Sequence, residues 1–90
     1  MKEQLIGIIS NYFGNISVAA FEIINGKLKI GNYIHLKGNT TDFSIKVESM
    51  QLENNTIDLA QKGDDIGIEV NQKVRKGDKV YLVNKDWTQN

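Results

Sequence analysis

Three times in this chain a basic residue leads into Gly and then Asp or Asn, and each time an apolar strand pattern follows. The segments are Lys29-Ile30-Gly31-Asn32, Lys62-Gly63-Asp64-Asp65 and Lys76-Gly77-Asp78-Lys79. Gly reaches positive φ without a Cβ penalty, and Asp or Asn beside it bonds the neighbouring backbone. A tight corner that launches a strand, used three times, predicts a small antiparallel β protein. Proline is absent, so every reversal must come from Gly, Asn or Asp. Further reversals are expected at Gly14-Asn15, Asn25-Gly26, Gly38-Asn39 and Asn54-Asn55.

The spacing of apolar residues between these corners predicts strands over about 5–12, 16–24, 33–37, 43–53 and 79–84. Ile66, Ile68 and Val70 mark another, half-buried strand. Lys27 to Ile30 alternates polar and apolar residues, and 56–61 reads as a short strand or one helical turn. Within 43–53, Phe43, Ile45 and Val47 share one phase and Met50 and Leu52 the other. A phase flip inside one strand predicts a bulge near Glu48-Ser49. Gly7 marks a bend or a close approach in the first strand. No segment carries a sustained helical period. The expected architecture is all-β: a single closed barrel of six or seven antiparallel strands, because closure removes exposed edges that neither Pro nor charge runs guard. The domain is expected over 1–84, followed by a mobile polar tail, 85–90, in which Trp87 is the exception.

Ninety residues make one domain with one core. The 11 basic residues balance the 11 acidic ones, so any contact with nucleic acid must be local. With no cysteine, disulfides, thiolate chemistry and cysteine zinc sites are excluded, which fits a reducing, cytoplasmic setting. The apolar N-terminal run is short and broken by Gly7, neither a signal peptide nor a membrane span.

Candidate site residues are few. His35 is the single histidine and has neither a nucleophile nor metal-ligand partners at a recognisable spacing, so it reads as a strand residue. Asp64-Asp65 and Asp78 read as turn caps, not an EF-hand. Lys73, Arg75, Lys76 and Lys79 form one basic group, and Lys27, Lys29 and Lys37 a second. Brought together they would track a phosphate backbone; apart they are solubilising turn residues. Tyr12-Phe13 is either an exposed stacking platform or a buried plug. Phe21, Phe43 and Tyr81 read as core. No catalytic residue, metal site, nucleotide or cofactor is expected, and the chain reads as a non-enzyme.

Four segments carry a resemblance: Gly26 through Gly38, Val47-Glu48-Ser49-Met50-Gln51, Ala60 through Ile68, and Arg75 through Val80. In order and spacing they resemble the second domain of translational GTPases, as in elongation factor Tu. The chain looks closer still to small stand-alone elongation-factor-like proteins lacking the GTPase. That likeness implies a barrel binding a tRNA end, ribosomal RNA or a ribosomal component, with Leu28, Gln51 and Glu69 at the positions that cradle the terminal adenosine. No Gly-x-x-x-x-Gly-Lys-Ser/Thr is present to bind nucleotide. Similar barrels also occur beside peptidase-like domains in collagenase-type peptidases, which implies the alternative: a protein-interaction adaptor docking onto a separate enzyme chain.

Overall fold

The computed structural model describes residues 3–83 and is all-β. Its ten strands are β1 (Glu3–Phe13), β2 (Val18–Ile23), β3 (Lys27–Lys29), β4 (Tyr33–Lys37), β5 (Asp42–Lys46), β6 (Met50–Leu52), β7 (Asn55–Ile57), β8 (Leu59–Gln61), β9 (Asp65–Glu69) and β10 (Lys79–Val83). Eight form one antiparallel sheet in the order β5-β4-β10-β1-β2-β9-β6-β7, and β3 pairs with β8. The expected count of six or seven strands is too low. The stretch 56–61 is divided between β7 and β8, and the predicted long strand 43–53 is two strands. No pairing joins β5 to β7 among the described residues, so the ladder of this sheet does not close into a ring. It is nevertheless curled, since Phe43 and Ile45 at one end and Leu52 and Ile57 at the other pack against the same core. The expected tail, 85–90 with Trp87, lies outside the described residues.

The three corners share one geometry. In each, a backbone carbonyl accepts the N–H three residues on: Lys29 from Asn32, Gln61 from Asp64 and Arg75 from Asp78. Gly31, Gly63 and Gly77 hold the third position at φ of 98°, 96° and 94°, the type II requirement. The side chain of the fourth residue then accepts the N–H of the first. Asn32 takes it from Lys29 at 2.8 Å, Asp64 from Gln61 at 3.0 Å and Asp78 from Arg75 at 2.9 Å.

Each corner is also fastened to another strand. The Gly N–H donates to a carbonyl whose own residue donates back to the Asx carbonyl. The partners are Val47 for the first corner, Ile23 for the second and Ile9 for the third, all at 2.8 Å. These three side chains are buried. Around each corner the burial repeats as well: the residue three before Gly is fully buried (Leu28, Ala60, Val74), as is the one three after it (Ile34, Ile66, Val80). Val74 appears isolated in the sequence; its place in this repeat puts it in the core.

The phase flip between Phe43 and Leu52 is made by a break, not a bulge inside one strand. Residues 47–49 leave the ladder, Val47 turns into the core, and Met50 restarts on the other phase, also buried. The register shifts fall instead in β1, between Leu5 and Gly7 against β10 and between Ile9 and Asn11 against β2. They let the 11-residue strand bend while pairing on both sides. At Gly7 a Cβ would enter the Phe21 ring and come within 2.8 Å of the Glu22 carbonyl oxygen. The missing side chain is what allows the buried Phe21 to cover the bend.

These two glycines differ in a measurable way. A Cβ on Gly77 meets nothing within 4 Å, so Gly77→Ala should cost only left-handed backbone strain, about 1–2 kcal/mol. Gly7→Ala forces a core clash and should cost about 3 kcal/mol. Because Asn32 makes the same bond as Asp64, Asp64→Asn should be neutral within about 0.5 kcal/mol and Asp64→Ala should lose about 1 kcal/mol. Urea unfolding at neutral pH ranks the four variants; equal midpoints for the two Asp64 variants would remove the side-chain bond from the account.

Candidate interaction surface

The residues expected to form a binding site do not converge as one group. Leu28 is fully buried, so it offers no exposed wall to a ligand. Gln51 and Glu69 do come together, with Ile16, Val18 and Gly67, along a shallow depression where β6 and β9 pair. Ile16 is 60% exposed there, an apolar residue next to an acidic one. Lys27 and Lys29 stand on β3, which pairs with β8 and not with the strands that carry Lys37 and Lys79, and Lys73 is exposed in the loop before the third corner. The aromatic pair is split: Tyr12 packs against the core and Phe13 is 43% exposed. Alternation along a strand sends neighbours to opposite faces, so the two were never a single platform. Tyr81, read as core, is half-buried on the outer face.

One subset does meet. Lys37 at the end of β4, Arg75 and Lys76 in the third corner, and Lys79 at the start of β10 line an open cleft of about 550 Å³, floored by Asp78 and flanked by Tyr81. Cavities of this size hold small ligands or a short segment of chain. The third corner builds it: its fold turns Arg75 and Lys76 outward while Asp78 points in, buried and bonded to the Arg75 N–H. An added Cβ on Gly38 would collide with the Asp78 carboxylate, so Gly at that position lets the β4–β5 loop close over it. The Arg75 guanidinium is oriented by its Nε–H donating to the Thr40 hydroxyl at 3.0 Å.

Beside the cleft is a cluster that spacing alone does not reveal. His35 on β4 places Nδ1 2.9 Å from Glu3 Oε2 on β1 and Nε2 2.5 Å from Asp42 Oδ1 on β5. The three side chains strap the outer face from β5 to β1, passing over β10, where the Tyr81 ring lies 6.2 Å from the imidazole. A neutral imidazole donates through only one nitrogen, whereas both carboxylates here need a donor. Partial burial disfavours the imidazolium, but the bonds to Asp42 and Glu3 together outweigh it and hold the His35 pKa above 6.5. The same bond to His35 holds the Asp42 carboxyl below its usual range. Among the described residues no His, Cys, Asp or Glu group has the arrangement of a metal site.

No family profile matches the chain. Individual proteins do. A collagenase of Porphyromonas gingivalis is 45% identical over 85 residues, which is 93% of this chain and 24% of that protein. An uncharacterized protease of Methanocaldococcus jannaschii is 38% identical over 81 residues, 89% of this chain and 20% of that protein. The chain thus spans a quarter or less of the curated relatives it matches. In structure it is similar to the C-terminal domain of a Geobacillus thermoleovorans protein assigned to the U32 peptidases. The TM-score is 0.82 at 17% identity, with 90% of this chain and 93% of that domain covered. A selenomethionine form of the same domain gives 0.80 at 16% identity.

These matches overturn three expectations. The resemblance to translation-factor barrels gives way to peptidase-associated relatives, which agree over nearly the whole chain. RNA and ribosome binding lose their basis with it. The reading as a non-enzyme falls too, since the relatives are named collagenase and protease. Among the described residues no helix is long and apolar enough to cross a membrane.

The strap has a definite pH signature. A folded pKa raised above the unfolded one means that the contribution of His35 is complete below about pH 6.5 and declines as pH rises through the folded value. Asp42, whose folded pKa is lowered, contributes above its unfolded 3.8 and loses that contribution as pH falls through the folded value. The two windows overlap in mildly acid solution. The unfolding midpoint should therefore fall as pH rises above about 6.5, and His35→Gln should flatten that fall. A midpoint that declines identically in both proteins would show that the strap does not stabilise the fold.

Proposed function

We propose that this chain serves a collagenase-type peptidase as its C-terminal β domain, presenting a protein-facing surface to the rest of that enzyme or to its polypeptide substrate. The single observation that carries this reading is the 45% identity to a collagenase over 93% of the chain. The agreement in fold with a U32 peptidase C-terminal domain supports it independently. The adaptor reading from the sequence is retained in this form, with the enzyme partner now specified as a peptidase. Charge neutrality suits a surface that meets protein, not a polyanion.

We also read the curled sheet as closing into a barrel through the β3–β8 pair. The bonds between Val47 and the first corner, and from the Ile30 N–H to the Asp58 carbonyl, carry backbone pairing past the ends of the strands. A closed sheet leaves fewer free edges to compete with a specific docking face.

The test is an exchange. The matching segment of the P. gingivalis collagenase is deleted, or replaced by this chain, and cleavage of denatured collagen is measured. Deletion should impair cleavage and the exchanged chain should restore it. Full activity after deletion, or equal rescue by an unrelated β domain, would remove this role.

A further inference from the structure

Lys37 and Lys79 are directly opposed across the β4–β10 ladder, on the same exposed face. Like charges in that position repel and weaken a sheet. Arg75 and Lys76 add two more positive charges to the same cleft, and among the described residues none of these four cations has a carboxylate partner at salt-bridge distance. The acidic groups nearby offset this charge only in part. Asp42, opposite Lys37 in register, attracts Lys37 across the strands but is hydrogen-bonded to His35, and Asp78 is buried under the corner with its carboxylate on the Arg75 N–H. Thr40 holds the Arg75 guanidinium in place before any ligand arrives. A repulsive pair kept beside a preoriented guanidinium is the arrangement of a site whose charge balance is completed by an anion.

We propose that this cleft binds an acidic polypeptide segment, with its carboxylates on Lys37, Arg75, Lys76 and Lys79 and its chain against the Tyr81 ring. The choice of a peptide rests on the peptidase reading above; the anion requirement rests on the cleft alone. Carboxylates of a short segment fit better than a phosphate polymer, because the positive field is confined to one cleft of a chain with no net charge and cannot follow a long polyanion.

The full chain is titrated with fluorescently labelled hexaglutamate, with hexaglutamine and a single-stranded oligonucleotide as comparisons, at low and physiological salt. Hexaglutamate should bind in a salt-sensitive way and hexaglutamine should not. Lys76→Glu/Lys79→Glu should weaken binding about tenfold, as expected for losing two exposed charge pairs. The same double variant should keep or raise the urea midpoint, because Lys79→Glu replaces repulsion by attraction to Lys37. Lys27→Glu/Lys29→Glu changes net charge equally on β3 and should leave binding intact. If the cleft variant fails to fold, Arg75→Gln/Lys76→Gln replaces it with the same expected loss. Absent hexaglutamate binding, equal loss in the β3 variant, or tighter binding of the oligonucleotide through the same residues would each overturn the assignment. The titration uses the chain alone. A chimera that cleaves while the chain ignores hexaglutamate would therefore sink this inference and leave the peptidase role standing.

Discussion

The structure depends on one reciprocal contact made three times: a Gly N–H and an Asx carbonyl gripping the backbone of a buried residue on a distant strand. Each grip satisfies a donor and an acceptor at the rim of the core, where an unpaired group would cost about 1–3 kcal/mol. It also fixes the register of the strand that follows, because the Asx residue is both the end of the corner and the start of the ladder. Val47, Ile23 and Ile9 are thereby held in the core by their own main chain as well as by their side chains. A short chain without proline or disulfides obtains its precision from these backbone bonds.

The same device shapes the surface. In the third corner the inward Asp78 and the outward Arg75 and Lys76 are consequences of one turn. The cleft is therefore built on a rigid element, not on a free loop, and Thr40 and Gly38 from the β4–β5 loop complete it. Next to it the Glu3–His35–Asp42 strap ties together strands that carry the cleft's other wall. Stability of the outer face and charge of the cleft are in this way adjacent on the same sheet.

The family inference went astray for a physical reason. The four segments that suggested a translation factor include the three corners, and those corners are a solution to turning a small curled sheet. Their residues are fixed by φ, by a capping bond and by burial, none of which reports a ligand. Leu28 illustrates the point: the resemblance placed it in a pocket wall, while the corner repeat places it in the core beside Ala60 and Val74 as the same position. The long strand expected over 43–53 failed differently. The change of phase was legible, but a bulge and a break give the same pattern of apolar residues, and only pairing distinguishes them.

The sequence by itself determined the all-β class, the three corners and most strand positions, with 33–37 matching β4 residue for residue. Those features are local: a positive φ needs Gly, a capping bond needs Asx, and a pleat needs alternation. It also marked the two basic groups. Only the tertiary structure decided that Lys37 joins Arg75, Lys76 and Lys79 while Lys27 and Lys29 stay apart. It alone brought Glu3 and Asp42 to the two sides of His35, from 32 and 7 residues away. Such juxtapositions follow from strand order and register, which are settled by the whole core at once and leave no mark at any single position of the chain.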